Sequence, residues 1–298
     1  RPPLSPVAWS SFLTGRNPGG HGIFGFEEIE PGTYNFRPVT AAHRRAPSLW
    51  RLLSDEDRSI IALDIPFSWP PEPANGCLIA GYGTPAGDDV VFTYPESLKA
   101  ELTDRCGECE VAVPRMKAAP PRDALFRKWD AIIENRRRIA GHLLRTADWD
   151  VFMIVLGVTD HMQHGAWTYF DPLHPDSKKP EAERLREVLF KYYEKADSFI
   201  GHLLDIAGGS LNVLVVSDHG FGTTWNARLT RRVLIESGWL RYRGAGAGRR
   251  AIEWMRRRYD AMPWLKRFLH KRPQDRARLK RAFAGAIGAV AQAGITLG

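Results

Sequence analysis

The chain has 298 residues, of which 44% are hydrophobic and 26% are charged. This is the composition of an ordinary globular protein, so it excludes a disordered chain and suffices for one large α/β domain with or without an appendage. The three cysteines are too few for a disulfide framework, and the CxxC pair Cys106 and Cys109 has no second pair with which to form a zinc ribbon. We therefore expect these two residues to be loop cysteines.

The net charge of +8 is concentrated late in the chain. Residues 241–281 hold 15 Lys and Arg against three acidic residues, a net charge of +12, which leaves −4 for the remainder. Apolar and aromatic residues recur among these charges as they do in a packed amphipathic helix. We expect a solvated basic helical segment, and the alternative is a surface that binds nucleic acid, acidic lipid or an acidic partner.

The first predicted element is a helix over residues 5–14. Ser5 is a favourable N-cap, Pro6 suits the first helical position and Gly15 suits a stop. A turn is expected at 17–20. Apolar periodicity and continuous apolar runs indicate the later elements. Helices are predicted at 46–53, 123–145, 180–207 and 230–237, and strands at 59–63, 151–158 and 211–216, with a proline-rich loop after the first strand.

Strands that alternate with helices predict an α/β fold, with a mostly parallel sheet sandwiched by helices. In such sheets, ligands bind beyond the carboxyl ends of the strands. Asp160 follows the run at 151–158 by two residues, and Asp218 follows the run at 211–216 by two residues. Both carboxylates are therefore expected at the same edge of the sheet.

Two Asp/His pairs near these strand ends indicate metal binding. Asp160 and His164 are four residues apart, so a helix would turn both to one point, and Asp218 and His219 are adjacent. Such ligands suit Zn²⁺, with Mn²⁺ as a substitute, and two pairs could hold two ions about 4 Å apart. Each pair alone has a simpler explanation, in which Asp218 caps a turn and His164 packs under a loop. Together the pairs favour a site.

Ser5 is the candidate nucleophile. A serine at a helix N-terminus faces the positive end of the helix dipole, where free N–H groups can receive an anion. A bound zinc ion could also hold its oxygen as an alkoxide. The simpler alternative is a plain N-cap. His21, which follows the turn at 17–20, is expected to have a structural role.

Together these motifs resemble the type I phosphodiesterase/nucleotide pyrophosphatase branch of the alkaline phosphatase superfamily, and within it the predicted bacterial phosphohydrolases. Residues 5–23, which end in His-Gly-Ile, are similar to the family's nucleophile segment. Residues 155–167, with Gln163 and Trp167, are similar to its first metal motif, and residues 215–221, with Ser-Asp-His-Gly, to its second. The resemblance covers about residues 1–240.

Carried over by position, the resemblance implies that Ser5 is the nucleophile. It implies that Asp160 and His164 bind one zinc ion. Asp218 and His219 would bind the other, which also binds the nucleophile. The family usually adds an Asp before this motif and a late His, so we expect the chain to be a piece of a longer protein. Its core over residues 1–240 would lack an N-terminal strand, and a basic helical insertion or cap over residues 241–298 would be truncated.

One departure from the family concerns the substrate. Nucleotide pyrophosphatases carry an Asn three residues after their His-Gly-Ile, and Phe26 occupies that position here. A phenyl ring cannot donate the corresponding hydrogen bond, so nucleotide diester specificity is not assumed. Formylglycine sulfatases carry a Cys or Ser followed by x-Pro-x-Arg. The residues after Ser5 do not match that pattern, which argues against a sulfatase.

We therefore expect a metal-dependent hydrolase of phosphate monoesters or diesters, which acts through a phospho-serine intermediate at a two-metal site. Its expected partner is a small-molecule phosphate ester rather than nucleic acid or a membrane. One alternative is a phosphomutase or phosphotransferase, in which an alcohol replaces water. Another is a metal-free pseudoenzyme that binds an acidic partner through the basic segment. No secretory signal is visible, which slightly favours a cytoplasmic location, although a preceding segment could carry one.

Overall fold

A four-stranded sheet with helices on both faces forms the centre of the described part of the chain. A computed structural model of the protein describes residues 4–109, 111, 123–223, 233–234 and 236–239. The chain divides into two compact units, Arg1–Trp225 and Asn226–Gly298. Among the helices in these described ranges, none combines the length and the apolar character that crossing a membrane requires.

Six strands and seven α-helices lie among the described residues of the first unit. The strands are β1 (Glu27–Ile29), β2 (Phe36–Pro38), β3 (Ile60–Ile65), β4 (Gly76–Ala80), β5 (Thr93–Tyr94) and β6 (Val151–Ile154). The helices are α1 (Ser5–Thr14), α2 (Pro18–His21), α3 (Leu49–Asp55), α4 (Leu98–Cys106), α5 (Asp123–Thr146), α6 (Gly157–Ala166) and α7 (Ala182–Ala207). Short 3-10 turns lie at Ala41–His43, Trp167–Tyr169 and Pro175–Lys178.

The main sheet has the strand order β5-β4-β3-β6. Strand β3 pairs in parallel with both β4 and β6, and β5 runs antiparallel to β4. Strands β1 and β2 form a separate antiparallel pair. The sheet is thus mixed but mostly parallel, and this confirms the predicted α/β fold class.

Strand β3 is buried on both faces. Ile61 and Leu63 pack into the layer that contains α4, α5 and α7. Ile60 and Ala62 pack into the opposite layer, which contains α1 and α3. All four side chains are 0% exposed. A strand that is covered on both sides needs a continuous apolar run rather than alternation, which explains the local sequence Ile-Ile-Ala-Leu.

The predictions for the long helices are confirmed. Helices α5 and α7 agree with the predicted ranges 123–145 and 180–207 to within two residues. Helix α1 covers the predicted residues 5–14 and ends at Gly15, which has a left-handed φ of 63°. The N-cap is Leu4 rather than Ser5, so Ser5 is the first residue inside the helix.

Several short elements differ from the predictions. The helix predicted at 46–53 is α3, which begins three residues later, and the turn at 17–20 is the short helix α2. The proline-rich loop contains strand β4, because Gly76–Ala80 pairs with β3. Cys106 is the last residue of α4 rather than a loop residue, whereas Cys109 lies in a loop.

The prediction of a second buried strand at 211–216 is wrong. These residues have no regular secondary structure, and their apolar side chains are exposed, from 38% for Leu211 to 77% for Leu214. A run of β-branched residues becomes a strand only where its backbone N–H and C=O groups find a partner. In the part of the chain that the structure describes, no strand pairs with this segment, and β6 is the last strand at that edge of the sheet. The predicted strand at 151–158 is also shorter, since α6 begins at Gly157.

Two predictions fall mainly outside the described residues. For the helix at 230–237, Val233, Leu234 and Glu236 are helical, and Gly238 has a left-handed φ of 77°. The remainder of that helix and the basic segment at 241–298 are not among the described residues.

Candidate metal-binding site

Helix α6 presents Asp160 and His164 on one face. The helix follows β6 closely, and Val158, Met162 and Ala166 bury its opposite face in a cluster with α5 and α7. Because residues four apart lie above one another on a helix, the two polar side chains meet. Oδ1 of Asp160 lies 3.4 Å from Nε2 of His164.

The loop after residue 216 brings His219 to the same point. Its Nε2 lies 3.7 Å from Oδ1 of Asp160 and 3.6 Å from Oδ2 of Asp218. Its Nδ1 lies 3.1 Å from the carbonyl oxygen of Gly220. A carbonyl can only accept, so Nδ1 carries the proton and donates it, which leaves the lone pair of Nε2 directed at the carboxylates.

Three possible metal ligands therefore converge. The ligand atoms of Asp160, His164 and His219 all lie within 4.8 Å of one another. Oδ1 of Asp160 is buried and has no hydrogen-bond partner among the described residues. Atoms that bind a tetrahedral zinc ion at 2.0–2.2 Å lie about 3.3–3.6 Å apart. The spacings of 3.4 and 3.7 Å are close to that value, and the unpaired carboxylate oxygen is a group that a cation would satisfy.

Ser5 joins this cluster from the opposite end of the chain. It is the first residue of α1, whose Trp9 and Leu13 pack against the sheet. Its Oγ lies 3.3 Å from Nε2 of His219. The serine oxygen thus sits at the positive end of the α1 dipole and beside the imidazole.

The structure brings together all five residues that the sequence singles out, but not as two separate pairs. His219 lies between the carboxylates of Asp160 and Asp218 rather than with Asp218 alone. His164 is half-exposed, at 51%, whereas His219 is only 9% exposed. The ligand cluster therefore combines Asp160 and His164 of α6 with His219 from the loop.

His21 has the structural role expected of it. The side chain is 0% exposed. Its Nδ1 accepts a hydrogen bond from the N–H of Ile23, so Nε2 carries the proton and donates it to Oγ of Ser11. Burial, and secondarily the charge of Arg44, lowers the pKa of His21, so it stays neutral and ties α1 to the turn that follows α2.

Sequence reasoning missed the packing of aromatic side chains beside the two imidazoles. The ring of Phe221 lies 5.0 Å from that of His164 and 5.3 Å from that of His219. The ring of Trp167 lies 5.7 Å from that of Phe221. Trp167 is named above within the first motif segment and Phe221 ends the second, but neither carries a metal-binding atom, so nothing in the sequence indicated this packing.

A buried ion pair borders the turn from β6 to α6. Arg136 of α5 donates from Nε to Oδ2 of Asp64 at the end of β3, and the two side chains are 4% and 15% exposed. The pair lines a small cavity together with residues 155–159. Asp64 has a left-handed φ of 59° and lies at a register shift in the β3–β4 pairing.

Comparison with known proteins identifies the family. A profile described as type I phosphodiesterase / nucleotide pyrophosphatase matches residues 1–282. Among solved structures, phosphonoacetate hydrolase from Sinorhizobium meliloti 1021 in complex with phosphonoformate is similar, with a TM-score of 0.36 and 17% sequence identity. The matched region covers 66% of this chain and 43% of the hydrolase chain. No curated protein matches. Because the profile extends over most of the 298 residues, the chain belongs to the type I phosphodiesterase / nucleotide pyrophosphatase family.

Proposed function

We propose that this protein hydrolyses phosphate monoesters or diesters through a phosphorylated serine. The observation that carries the proposal is the convergence of the hydroxyl of Ser5 with the carboxylate of Asp160 and the imidazole of His219. A hydroxyl, a carboxylate and imidazoles at these distances are the groups that metal-assisted phosphoryl transfer requires. Residues 1–240 would form the catalytic core, with the basic segment at 241–298 as a cap or insertion.

The proposed site holds two divalent ions, with zinc favoured and manganese as a substitute. Asp160 and His164 would hold one, and Asp218 and His219 the other, with Ser5 as an additional ligand. The separation of 3.3 Å between Oγ of Ser5 and Nε2 of His219 suits two ligands of one tetrahedral ion. When bound, such ions offset negative charge on phosphate oxygens and lower the pKa of a bound hydroxyl or water.

In the first step, the Ser5 oxygen forms a bond to phosphorus as the bond from phosphorus to the leaving oxygen breaks. Ser5 loses its hydroxyl proton in this step, and the leaving oxygen takes up a proton and departs as an alcohol. In the second step, a water oxygen forms a bond to phosphorus, the bond to Ser5 breaks and the serine regains its proton. The intermediate divides one difficult displacement into two easier ones.

His219 is proposed as a ligand rather than as the general base for Ser5. Its Nδ1 donates to the carbonyl of Gly220, so the neutral ring has one lone pair, on Nε2. That lone pair can bind an ion or accept the Ser5 proton, but it cannot do both. The carboxylate of Asp218, whose Oδ2 lies 3.6 Å from that nitrogen, favours the ion, because one cation satisfies both atoms at once.

A phosphomutase or phosphotransferase would use the same serine and differ only in the second step. An alcohol would then replace water as the acceptor. Incubation of the purified protein with an aryl phosphate and an added alcohol distinguishes the two reactions. Hydrolysis gives inorganic phosphate at any alcohol concentration, whereas transfer gives the new ester.

The test of the proposed function uses an aryl phosphate ester and the purified protein with added zinc. We expect Ser5→Ala and Asp218→Ala each to lower the hydrolysis rate by at least about a thousandfold. Ser11→Ala is the matched control, because it removes from the same helix a hydroxyl whose hydrogen bond, among the described residues, is with His21 rather than with the proposed site. Wild-type rates in the Ser5 or the Asp218 variant would refute the assignment.

A further inference from the structure

The side chain of Phe221 contacts both imidazoles of the proposed metal site. Its ring meets that of His164 edge-on, with an interplanar angle of 80° and a centroid distance of 5.0 Å. It meets the ring of His219 at 67° and 5.3 Å. The two imidazole rings are 6.2 Å apart, so one phenyl ring packs against both of them. Edge-to-face packing at these distances is the arrangement that aromatic rings prefer.

Phe221 is itself held by an aromatic row. Trp167, directly after α6, lies 5.7 Å from Phe221 with the planes inclined by 35°. Trp167 in turn stacks on Phe170 at 6.1 Å and 24°. Phe170 packs edge-on against Phe190 of α7 at 5.9 Å. The row therefore connects the loop of His219 to the helices α6 and α7.

The two imidazoles differ in how far other contacts fix them. His219 is 9% exposed, and its Nδ1 is held by the carbonyl of Gly220. His164 is 51% exposed, and within the described part of the chain its polar contact is with Asp160, the ligand beside it. A half-exposed side chain on a helix surface samples several rotamers unless packing restricts it. The ring of Phe221 packs against His164 at 5.0 Å and so restricts its rotamers.

We propose that Phe221 is a positioning residue, which holds both imidazoles so that their Nε2 atoms converge on Oδ1 of Asp160. The proposal rests on the proposed function, since it requires that these residues bind a metal ion. Phe221 offers no ligand atom, so it acts only through the orientation of His164 and His219 and through the exclusion of water from their ring faces. Residues that orient ligands in this way typically change metal affinity about 10–100-fold when they are substituted.

The test measures zinc affinity by competition with a chromophoric chelator, using the purified protein stripped of metal. Phe221→Leu keeps an apolar side chain but removes the ring. We expect it to weaken zinc binding by about 10–100-fold. Phe221→Trp keeps an aromatic ring and should stay within about threefold of wild type. Phe36→Leu is the matched control, because Phe36 is 65% exposed and lies in β2, outside the aromatic row and the proposed site.

A second measurement separates positioning from a loss of folding. The urea midpoint of the metal-free Phe221→Leu protein should match that of metal-free wild type, because the loop side chain is only half-buried. If that variant does not fold, Trp167→Leu carries the comparison: it removes the ring that packs on Phe221 and should weaken zinc binding by at least about threefold, and zinc affinity equal to wild type would overturn the positioning role. Zinc affinity equal to wild type in a folded Phe221→Leu protein would overturn the positioning role. If wild type itself binds no zinc, the proposed function fails instead.

Discussion

Oγ of Ser5 lies 3.3 Å from Nε2 of His219, although the two residues are 214 positions apart in the chain. Only the tertiary fold can bring them together, since α1 packs against one face of the sheet and the loop of His219 follows α7. At this distance, the two atoms can be ligands of one metal ion, or His219 can be the base that takes the proton of Ser5. The two arrangements differ in what happens when the metal is removed.

We expect chelation to lower the hydrolysis of an aryl phosphate by at least about a hundredfold, and added zinc to restore it. His219→Ala should be equally inactive and should not recover with added zinc. Rates are measured on the same preparation before chelation, after chelation and after reloading. A metal-stripped wild-type protein that retains its rate, while His219→Ala does not, would assign His219 as the base.

The neutral, buried His21 makes stability depend on pH. Burial lowers its pKa below the ordinary value of 6.5, so the unfolded chain binds this proton more readily than the folded protein does. The contribution of His21 is therefore fully present above pH 6.5 and is lost as the pH falls from there through the lowered pKa. The free energy of unfolding should fall by up to about 1.4 kcal/mol per pH unit in that window.

His21→Gln keeps a polar side chain near Ser11 but does not titrate. We expect the difference in unfolding free energy between wild type and this variant to shrink as the pH falls below 6.5, because only wild type loses the contribution. Urea unfolding of both proteins across this range provides the measurement. A difference that is constant with pH would show that His21 is not the titrating group.

The ion pair of Asp64 and Arg136 should matter to stability far more than a surface pair. Arg136→Met leaves a buried carboxylate without its partner, and we expect a loss of about 3–5 kcal/mol. Adding Asp64→Asn should restore most of that loss, since the buried charge is then gone and Asn tolerates the left-handed φ of 59° at this position. Lys195→Met is the control, because Lys195 and Asp130 form an ion pair at the surface, 42% and 47% exposed, worth at most about 1 kcal/mol.

These effects would appear as shifts in the urea midpoint. A loss of stability in the Arg136 variant no larger than in the Lys195 variant would contradict the role assigned to the buried pair.

Arg136 also contacts Sγ of Cys109 at 3.3 Å, and burial raises the pKa of that thiol to about 11. Cys109 is therefore expected to stay protonated and to react slowly with alkylating reagents near neutral pH.

Gly76 is required by the close approach of β4 to β3. A Cβ at this position would lie 1.9 Å from the carbonyl oxygen of Ile60, and its φ is 139°. Gly76→Ala should therefore destabilise the protein by at least about 2 kcal/mol. At Gly201 of α7, a Cβ would point into open space, so Gly201→Ala should stabilise the protein by about 1 kcal/mol. Thermal unfolding of both variants checks the pair, and equal shifts would contradict the steric argument.

The local periodicity of apolar residues was enough to predict the long helices, each of which buries one face. Helix α7 repeats its apolar residues through 26 positions, so its face and ends can be read from the sequence. Asp160 and His164 were likewise predictable as neighbours, because four residues separate them on a helix. These relationships depend only on helix geometry, which the sequence spacing expresses directly.

Relationships between distant segments could not be predicted in the same way. Strand β4 is five residues long and lies in a proline-rich stretch, so it shows no distinct period. The pairing of Asp64 with Arg136 joins residues 72 apart and leaves no local signal. The run at 211–216 has the composition of a strand, but composition does not supply the partner backbone that a strand requires.

We propose above that Ser5 accepts the phosphoryl group of the substrate at a metal-bound site. The most direct measurement is mass spectrometry of peptides from zinc-loaded protein that is quenched in acid during turnover of an aryl phosphate. The account predicts a phosphoryl group on Ser5 in the loaded protein and none after chelation. Continuing hydrolysis without a phosphoryl group on Ser5, or with one on another residue, would contradict it.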